Sequence, residues 1–552
     1  MRDILKSWIK SFMFVVFLGI CTNVLYLAVP LYMMVTYENS LYSFSMATLA
    51  TLGVGVLISL ILYGILEYFR SKLLILIANG FALKMAPFVV QGLHKDAVSL
   101  ERQGYTRGIQ DLAMVRNALV QSGGMVHALD LPWILIYLAV LYLMHPLLCA
   151  VALLGTFLVI MFQWLLKVLG EKRYTTAEVT LNSESKFIYS TLQGAELVSG
   201  MGMLPGIIKR FDTAFFHFLG IMTEIDNYKA FTGAFIRTLQ VVFPAAVFAA
   251  GTYLFFEGDL SAGVLFAGVV VVFRIFYPFG SYLDGMKQAI DALAAYKRLK
   301  NYVDTTKSKP PLPLPEPKGK ISVEGIALKI RERVILNNIS FGLEPGEILG
   351  IAGPSSSGKS SLCKTILGIW PAFMGKIRLD GAELSQWDRD ELGQYIGYLP
   401  QEPELFSGTI AENVARMQAA EPEKVIQACR KTGIHDMILK LPAGYDTRID
   451  QTGKNLSAGQ RQLISLARAV YGNPKFIVMD DPQSFLDESG FVALANTLNT
   501  LRNEKTTMVL VTDKPNLLMA TDKILIIREG QVAMYGPSKE IIAQIAKTQK
   551  AQ

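Results

Sequence analysis

Gly353-Pro354-Ser355-Ser356-Ser357-Gly358-Lys359-Ser360-Ser361 is the stretch on which the reading of this chain turns. An apolar run, Ile348-Leu349-Gly350-Ile351-Ala352, precedes it and predicts a buried strand, while Leu362 to Ile369 predicts a helix after it. Glycines at 353 and 358 let the backbone turn back so that successive N–H groups converge on phosphate oxygens. Lys359 adds a fixed positive charge near the terminal phosphates, and the Ser360 hydroxyl is suited to Mg²⁺. A Ser/Gly-rich surface turn is the plain alternative. A G-x-x-x-x-G-K-S match in a strand–loop–helix setting rarely arises by accident.

Further along, Ile396-Gly397-Tyr398-Leu399-Pro400-Gln401 reads as a strand running into a loop, where the Gln401 carboxamide can ligate Mg²⁺ or hold an attacking water. Alone, that signal is weak. Leu456-Ser457-Ala458-Gly459-Gln460 opens a helix whose apolar face is Leu463, Leu466, Ala467 and Val470. Ser457 and Gly459 at a helix start offer free N–H groups and a positive dipole end, suited to a phosphate. A plain N-cap is the competing reading. Since the first loop already holds its own chain's phosphate, the phosphate met here belongs to a second copy. Phe476-Ile477-Val478-Met479-Asp480-Asp481 is a buried strand ending in two carboxylates. Asp480 is placed to hold the Mg²⁺ shell, and Asp481 to polarise the attacking water. Met508-Val509-Leu510-Val511 forms another buried strand, ending at Thr512-Asp513.

The 552 residues leave room for several domains. Charged residues make up 18% and hydrophobic ones 51%, with mean hydropathy +0.35. Soluble chains carry nearer a quarter charged residues, so part of this one belongs in lipid. The net charge of +7 comes without a dense basic run, which argues against nucleic acid as a partner. Cys21, Cys149, Cys363 and Cys429 lie far apart with no metal-ligand spacing, as buried free thiols in a reducing compartment do.

Six apolar runs are long enough to span a bilayer: about 11–35, 45–69, 126–146, 148–169, 234–256 and 261–283. The first exceeds a signal-peptide core, and Pro30-Leu31-Tyr32-Met33 offers no cleavage site. The loops around Glu38, His145 and Glu257-Gly258-Asp259 carry no Lys or Arg. The opposite side carries Lys10, Arg70, Lys72, Lys167, Lys172, Arg173 and Lys287. That asymmetry predicts cytosolic termini at both ends. Two long cytosolic connections, roughly 70–125 and 170–233, show helical periodicity and predict pairs of helical legs. Their turns are expected near Gly104-Tyr105-Thr106-Arg107-Gly108 and near Gly200 to Gly206. His145 reads as a loop residue at the membrane surface. Arg274 sits mid-way along the sixth run, where a charge faces a cavity or a partner; it either lines a transport path or forms a structural pair, with Gln240 and Asp284 as candidate partners. Lys309-Pro310-Pro311-Leu312-Pro313 is an extended spacer. The expected organisation is a transmembrane domain over 1–302, a Pro-rich linker over 303–320 and a soluble α/β domain over 321–552.

The order of these motifs resembles an ATP-binding cassette (ABC) domain. With six preceding membrane helices, the chain resembles a half-size ABC exporter. The implied fold is a six-helix transmembrane domain of exporter type followed by an α/β P-loop nucleotide-binding domain. Leu131-Pro132-Trp133, Gly202-Met203-Leu204-Pro205, Leu379 to Asp388, Tyr395 to Gln401 and Leu441 to Ile449 are similar to the type I protein-secretion ATPases, the PrtD-like protease exporters. The resemblance implies a homodimer in the bacterial inner membrane that sandwiches two Mg²⁺-ATP molecules, each between Lys359 of one copy and Ser457/Gly459 of the other. It further implies a periplasmic membrane-fusion adaptor, an outer-membrane channel protein and an unfolded polypeptide substrate with a carboxyl-terminal signal.

Four positions depart from the family pattern. Ala458 stands where a Gly is usual, Asp481 where a catalytic Glu is usual, and Asp513 where a switch His is usual. No aromatic residue lies in Ile326 to Arg333, where adenine usually stacks. Misplacing a catalytic group by ~1 Å can cost on the order of 10²-fold in rate, so slow hydrolysis is expected. Export of lipid, drug or peptide is the alternative. The first span starts near residue 11, which leaves no room for the amino-terminal domain of leader-cleaving peptide exporters. A second alternative is an assembly factor or gate whose cassettes bind ATP but turn over weakly.

Overall fold

The computed structural model describes residues 2–40, 44–98, 107–120, 129–280, 282–306, 314–330, 332–450 and 455–550. The chain divides into two compact units, one of residues 1–93 and 104–307, the other of residues 94–103 and 308–552.

The first unit is helical. Five of its helical stretches are long and apolar enough to cross a membrane: Trp8–Ser40, Met46–Val98, Pro146–Leu165, Leu204–Glu257 and Ala262–Phe279. The third apolar run differs from its expected bounds. Its helix covers Trp133–Met144, and residues 121–128 lie outside the described residues. Pro132 sets the start, because a residue without an N–H is tolerated at a helix entrance but not within a helix. The first run is likewise not one helix. Arg2–Tyr26 ends just before Ala28–Val35, four residues ahead of Pro30, whose ring clashes with the carbonyl of residue 26. Thr36–Ser40, expected as loop, continues as a π-helical turn. The sixth helix stops at Phe276, where Pro278 falls in a short 3₁₀ turn at Tyr277–Gly280.

The long connections are helical legs continuous with the membrane helices. Met46–Val98 runs for 53 residues, Pro146–Gln193 for 48 and Leu204–Glu257 for 54. The turn expected near Gly200 is present: a helix ends at Gly200, Gly202 takes φ +62°, and the next helix starts at Leu204. Of the turn expected over Gly104 to Gly108, residues 104–106 lie outside the described residues, while Arg107 and Gly108 already open the helix Arg107–Val120. His145 has a local role, its Nδ1 accepting the Leu147 N–H at 3.1 Å to cap the Pro146–Gln193 helix.

Of the two partners expected for Arg274, Gln240 is engaged elsewhere, donating to the Phe276 carbonyl at 3.0 Å, and the Asp284 side chain lies outside the described residues. Arg274 donates to Asn23 Oδ1 at 3.2 Å and lies over the Tyr26 ring at 4.5 Å. Asn23 Nδ2 donates to Asp130 Oδ1 at 3.2 Å, and the same oxygen receives Arg70 Nη2 at 2.9 Å. Tyr137 Oη donates to Asn23 Oδ1 at 3.0 Å. This buried cluster ties the first, second, third and sixth membrane helices together. Sequence distance hid it, since residues 23, 70, 130 and 274 share no periodic pattern.

The second unit is built on a six-stranded sheet. Its order is Gln531–Pro537, Lys523–Arg528, Ile348–Ala352, Thr507–Val511, Phe476–Asp480 and Ile396–Leu399. All neighbours are parallel except the Gln531–Pro537 edge strand. Successive residues of a strand point to opposite faces, and the packing follows. Leu349, Ile351, Val478, Val509 and Val511 enter one buried cluster; Ile348, Ile477, Met479, Met508 and Leu510 enter the other. Each such buried aliphatic side chain contributes about 1.5–3 kcal/mol. An antiparallel sheet of Arg333–Leu343, Ile321–Ile330, Met374–Leu379 and Ala382–Glu383 packs into the first cluster. The four cysteines are free, as the sequence suggested, and burial pushes the Cys429 thiol up to about 12.

Removing the carboxylate that Arg70 and Asn23 share leaves buried charge less compensated. Asp130→Ala is expected to destabilise the membrane unit by on the order of 3 kcal/mol. Thermal unfolding in detergent reads this as a lowered midpoint, with Asp130→Asn intermediate. A wild-type midpoint for Asp130→Ala would mean that the cluster does not hold these helices.

Candidate nucleotide site

Three neighbouring parallel strands end at the same edge of the sheet, and the candidate residues follow them directly. Val511 pairs with both Ile351 and Asp480 in register. The phosphate loop after Ala352, the Thr512-Asp513 pair and the Asp480-Asp481 pair are therefore brought together. Leu399 pairs with Met479, which places Gln401 at that edge too, exposed and two residues past its strand. Ligands of open parallel sheets bind at such carboxyl ends.

The loop itself is a cradle. Gly353, Ser356 and Gly358 have φ of 153°, 66° and 102°, so its N–H groups turn inward. A Cβ at Gly353 would lie 2.2 Å from the Ile527 carbonyl oxygen, and one at Gly358 would lie 2.8 Å from Leu336 Cδ2. Ser357 Oγ is buried without a hydrogen-bond partner among the described residues. An inward concave backbone with an unspent buried hydroxyl fits a phosphate chain. The helix after the loop covers Lys359–Ile366, so it starts three residues earlier than Leu362 and puts Lys359 and Ser360 in its first turn. Pro354, Ser355 and Ser361 flank these groups as the sequence placed them.

Lys359 Nζ lies against the carbonyl oxygens of Gly353 at 2.5 Å and Pro354 at 3.1 Å, and 3.8 Å from Asp513 Oδ2. Asp480 is buried, and desolvation raises its pKa from the ordinary aspartate value despite a hydrogen bond from Ser360. A hydroxyl and one buried carboxylate fit Mg²⁺, which keeps waters and takes phosphate oxygens for the rest of its shell. Among the described residues no group of three or more His, Cys, Asp or Glu gathers to hold a metal alone.

Asp481 has φ of 55°, and both its carboxylate oxygens are engaged. Gln483 Nε2 donates to Oδ1, and Ser484 Oγ donates to Oδ2 at 2.5 Å. Sequence reading did not single out Gln483; the turn that folds residues 482–485 back on Asp481 is what gives it a role. Gly530 was missed as well. Its N–H donates to the Ser357 carbonyl at 3.2 Å, closing the floor of the cradle from the far hairpin. The Glu529-Gly530 pair between two apolar strands is the signal that would have found that turn.

Ser457 is an N-cap. It accepts the Gln460 N–H at 3.2 Å, while Gln460 Oε1 accepts the Ser457 N–H at 2.9 Å. The cap also orients the Ala458 and Gly459 N–H groups along the helix axis. No hydrogen bond or ion pair among the described residues joins residues 457–460 to the phosphate loop. Gly459 permits a close approach, since a Cβ there would lie 2.9 Å from the Phe485 carbonyl oxygen.

Comparison with known proteins places this geometry. Residues 336–484 match the ABC transporter family, and residues 106–279 match the ABC transporter transmembrane region. The chain belongs to the ABC exporters. It is 34% identical over 545 residues, covering 96% of this chain and 92% of its relative, to the type I secretion system ATP-binding protein PrsD of Rhizobium meliloti. A Staphylococcus aureus protein described as a multidrug export ATP-binding/permease protein is 27% identical over 392 residues, covering 70% of this chain and 67% of that one. A bacterial Atm1-family ABC exporter, solved with ATP bound, superimposes with a TM-score of 0.82 over 97% of this chain and 96% of that chain, at 18% identity. The fold class is thereby established: a multi-pass membrane protein with an ABC ATPase domain.

A methyl group at Gly353 would meet backbone, not a flexible side chain. Gly353→Ala is expected to weaken binding of a fluorescent ATP analogue at least 10-fold and to lower the melting temperature as well, because the backbone beside the loop must shift. Unchanged analogue affinity would remove the loop from the site.

Proposed function

We propose that this chain is the ATP-driven inner-membrane component of a type I secretion system, and that it exports unfolded polypeptide as a homodimer. The observation that carries the reading is the end-to-end similarity to a secretion ATP-binding protein, 96% of this chain, against 70% for the multidrug relatives. The second reading, export of a drug-like molecule or lipid, draws on those relatives.

Each residue has a task on this reading. The N–H groups of residues 353–361 wrap the phosphates, and Lys359 meets the terminal one. Ser360, Asp480 and Gln401 would hold Mg²⁺, which when bound offsets the charge of the phosphate oxygens. Asp481 polarises the attacking water, and Asp513 faces the terminal phosphate. Ser457, Ala458, Gly459 and Gln460 of the second copy close over the same nucleotide, since the phosphate loop of their own chain already holds a phosphate of its own. Closure draws two cassettes together and works the helical legs. A periplasmic adaptor and an outer-membrane channel would receive the polypeptide, with both termini of this chain in the cytosol. On this reading the domains are taken as 1–302, 303–320 and 321–552.

Asp481 is one methylene short of the usual Glu and is held by Gln483 and Ser484. Turnover by the purified protein in liposomes is expected below the ~10 s⁻¹ typical of enzymes, and Asp481→Glu is expected to raise it by about 10-fold. Lys359→Ala is expected to abolish both turnover and export. Polypeptide with a carboxyl-terminal signal should change the rate, and drugs should not. The opposite pattern of stimulation would favour the drug reading, and export undiminished by Lys359→Ala would point to a gate.

A further inference from the structure

The ammonium group of Lys359 already has an anion beside it. Asp513 Oδ2 lies 3.8 Å away, and the carbonyl oxygens of Gly353 and Pro354 take up the remaining directions. An ammonium has three donors, and three oxygens surround this one. Asp513 is also tethered. The Thr512 N–H donates to the Ile351 carbonyl at 3.1 Å, and the Lys514 N–H donates to Thr512 Oγ1 at 3.1 Å. Backbone pairing between the Ile348–Ala352 and Thr507–Val511 strands thus fixes where residue 513 leaves the sheet. Its carboxylate stays within reach of the phosphate loop and has no route to withdraw by more than a side-chain rotation.

We propose that Asp513 is an internal competitor for Lys359 that narrows the preference of this site for nucleoside triphosphate over diphosphate. The inference rests on the reading of Lys359 as the terminal-phosphate ligand. A triphosphate entering the cradle must displace the carboxylate from the ammonium and then sit beside it. Both consequences weaken the triphosphate. The diphosphate lacks the terminal group and its charge, so it meets less of the repulsion. The Asp513 side chain is 67% exposed and Lys359 is 14% exposed, so solvent screens the pair and its effect is modest. Exposed ion pairs of this kind are worth up to about 1 kcal/mol, or about a five-fold change in affinity. That is enough to make cassette loading respond to the ratio of triphosphate to diphosphate as well as to triphosphate concentration. Asp513 in this sense is a specificity-determining residue. It acts on which nucleotide is held, whether or not it also touches the hydrolytic step.

The test is equilibrium binding to the purified full chain in detergent with Mg²⁺, using a non-hydrolysable ATP analogue and ADP as probes. Asp513→Asn keeps the shape and removes the charge. We expect the analogue to bind about three- to five-fold tighter to Asp513→Asn than to the parent, with ADP changed less than two-fold. The gain should shrink in about 0.5 M salt, as expected for a screened interaction. Asp513→Glu, which keeps the charge, should stay near the parent. Equal gains for both nucleotides, or an analogue affinity unchanged or weakened in Asp513→Asn, would overturn the inference. Failure of the parent chain to bind either nucleotide would overturn the reading of the site itself, a separate outcome.

Discussion

Hydrogen-bonded register between three adjacent strands is the constraint on which the soluble unit depends. Ile348–Ala352, Thr507–Val511 and Phe476–Asp480 are parallel, and Val511 pairs with a residue of each neighbour. A slip of one residue in either pairing would turn every side chain to the other face. It would exchange the two buried clusters and carry Asp480 away from Ser360. The apolar residues that bury the sheet therefore also set the distance between a cation, a hydroxyl and two carboxylates. Stability and chemistry share one set of contacts, because the site lies at the ends of the core strands and has no scaffold of its own.

How much of this was legible beforehand depended on the range of the interaction. The phosphate loop, the capped helix at Ser457 and the strand ending in Asp480 are local patterns, and each element formed where its residues predicted it. The helix after the loop began at Lys359, ahead of Leu362, because a polar first turn carries no apolar periodicity to announce it. Membrane helices were visible as apolar runs, but their ends were not. Pro132 and Pro278 act through a missing donor and a ring clash, which hydropathy does not register. The cluster around Arg274 was illegible. Its members come from four helices separated by up to 251 positions, and only packing brings them together. The hold of Gln483 and Ser484 on Asp481 was hidden for a different reason: a left-handed residue at 481 reverses the chain, and although Asp tolerates that conformation, most Asp residues do not adopt it.

Asn23 both donates and accepts, so it links one acidic and one basic group while satisfying each. Arg70 and Arg274 reach the same small network from different helices, and the aromatic ring of Tyr26 covers a face of the Arg274 guanidinium. Hydrocarbon offers no alternative hydrogen-bond partners, so such groups must find one another within the protein. The result fixes the relative rotation of helices that apolar packing alone would leave freer to turn.

The Met46–Val98 helix has a mechanical consequence. At 1.5 Å per residue its 53 residues make a rod about 80 Å long. A rod of that length amplifies angles, even with Pro87 removing one hydrogen bond from its ladder. Tilting it by only about 5° would sweep its far end through roughly 7 Å, more than one helical turn. Leverage of this kind lets a small rearrangement at one extremity become displacement on the scale of a side chain at the other.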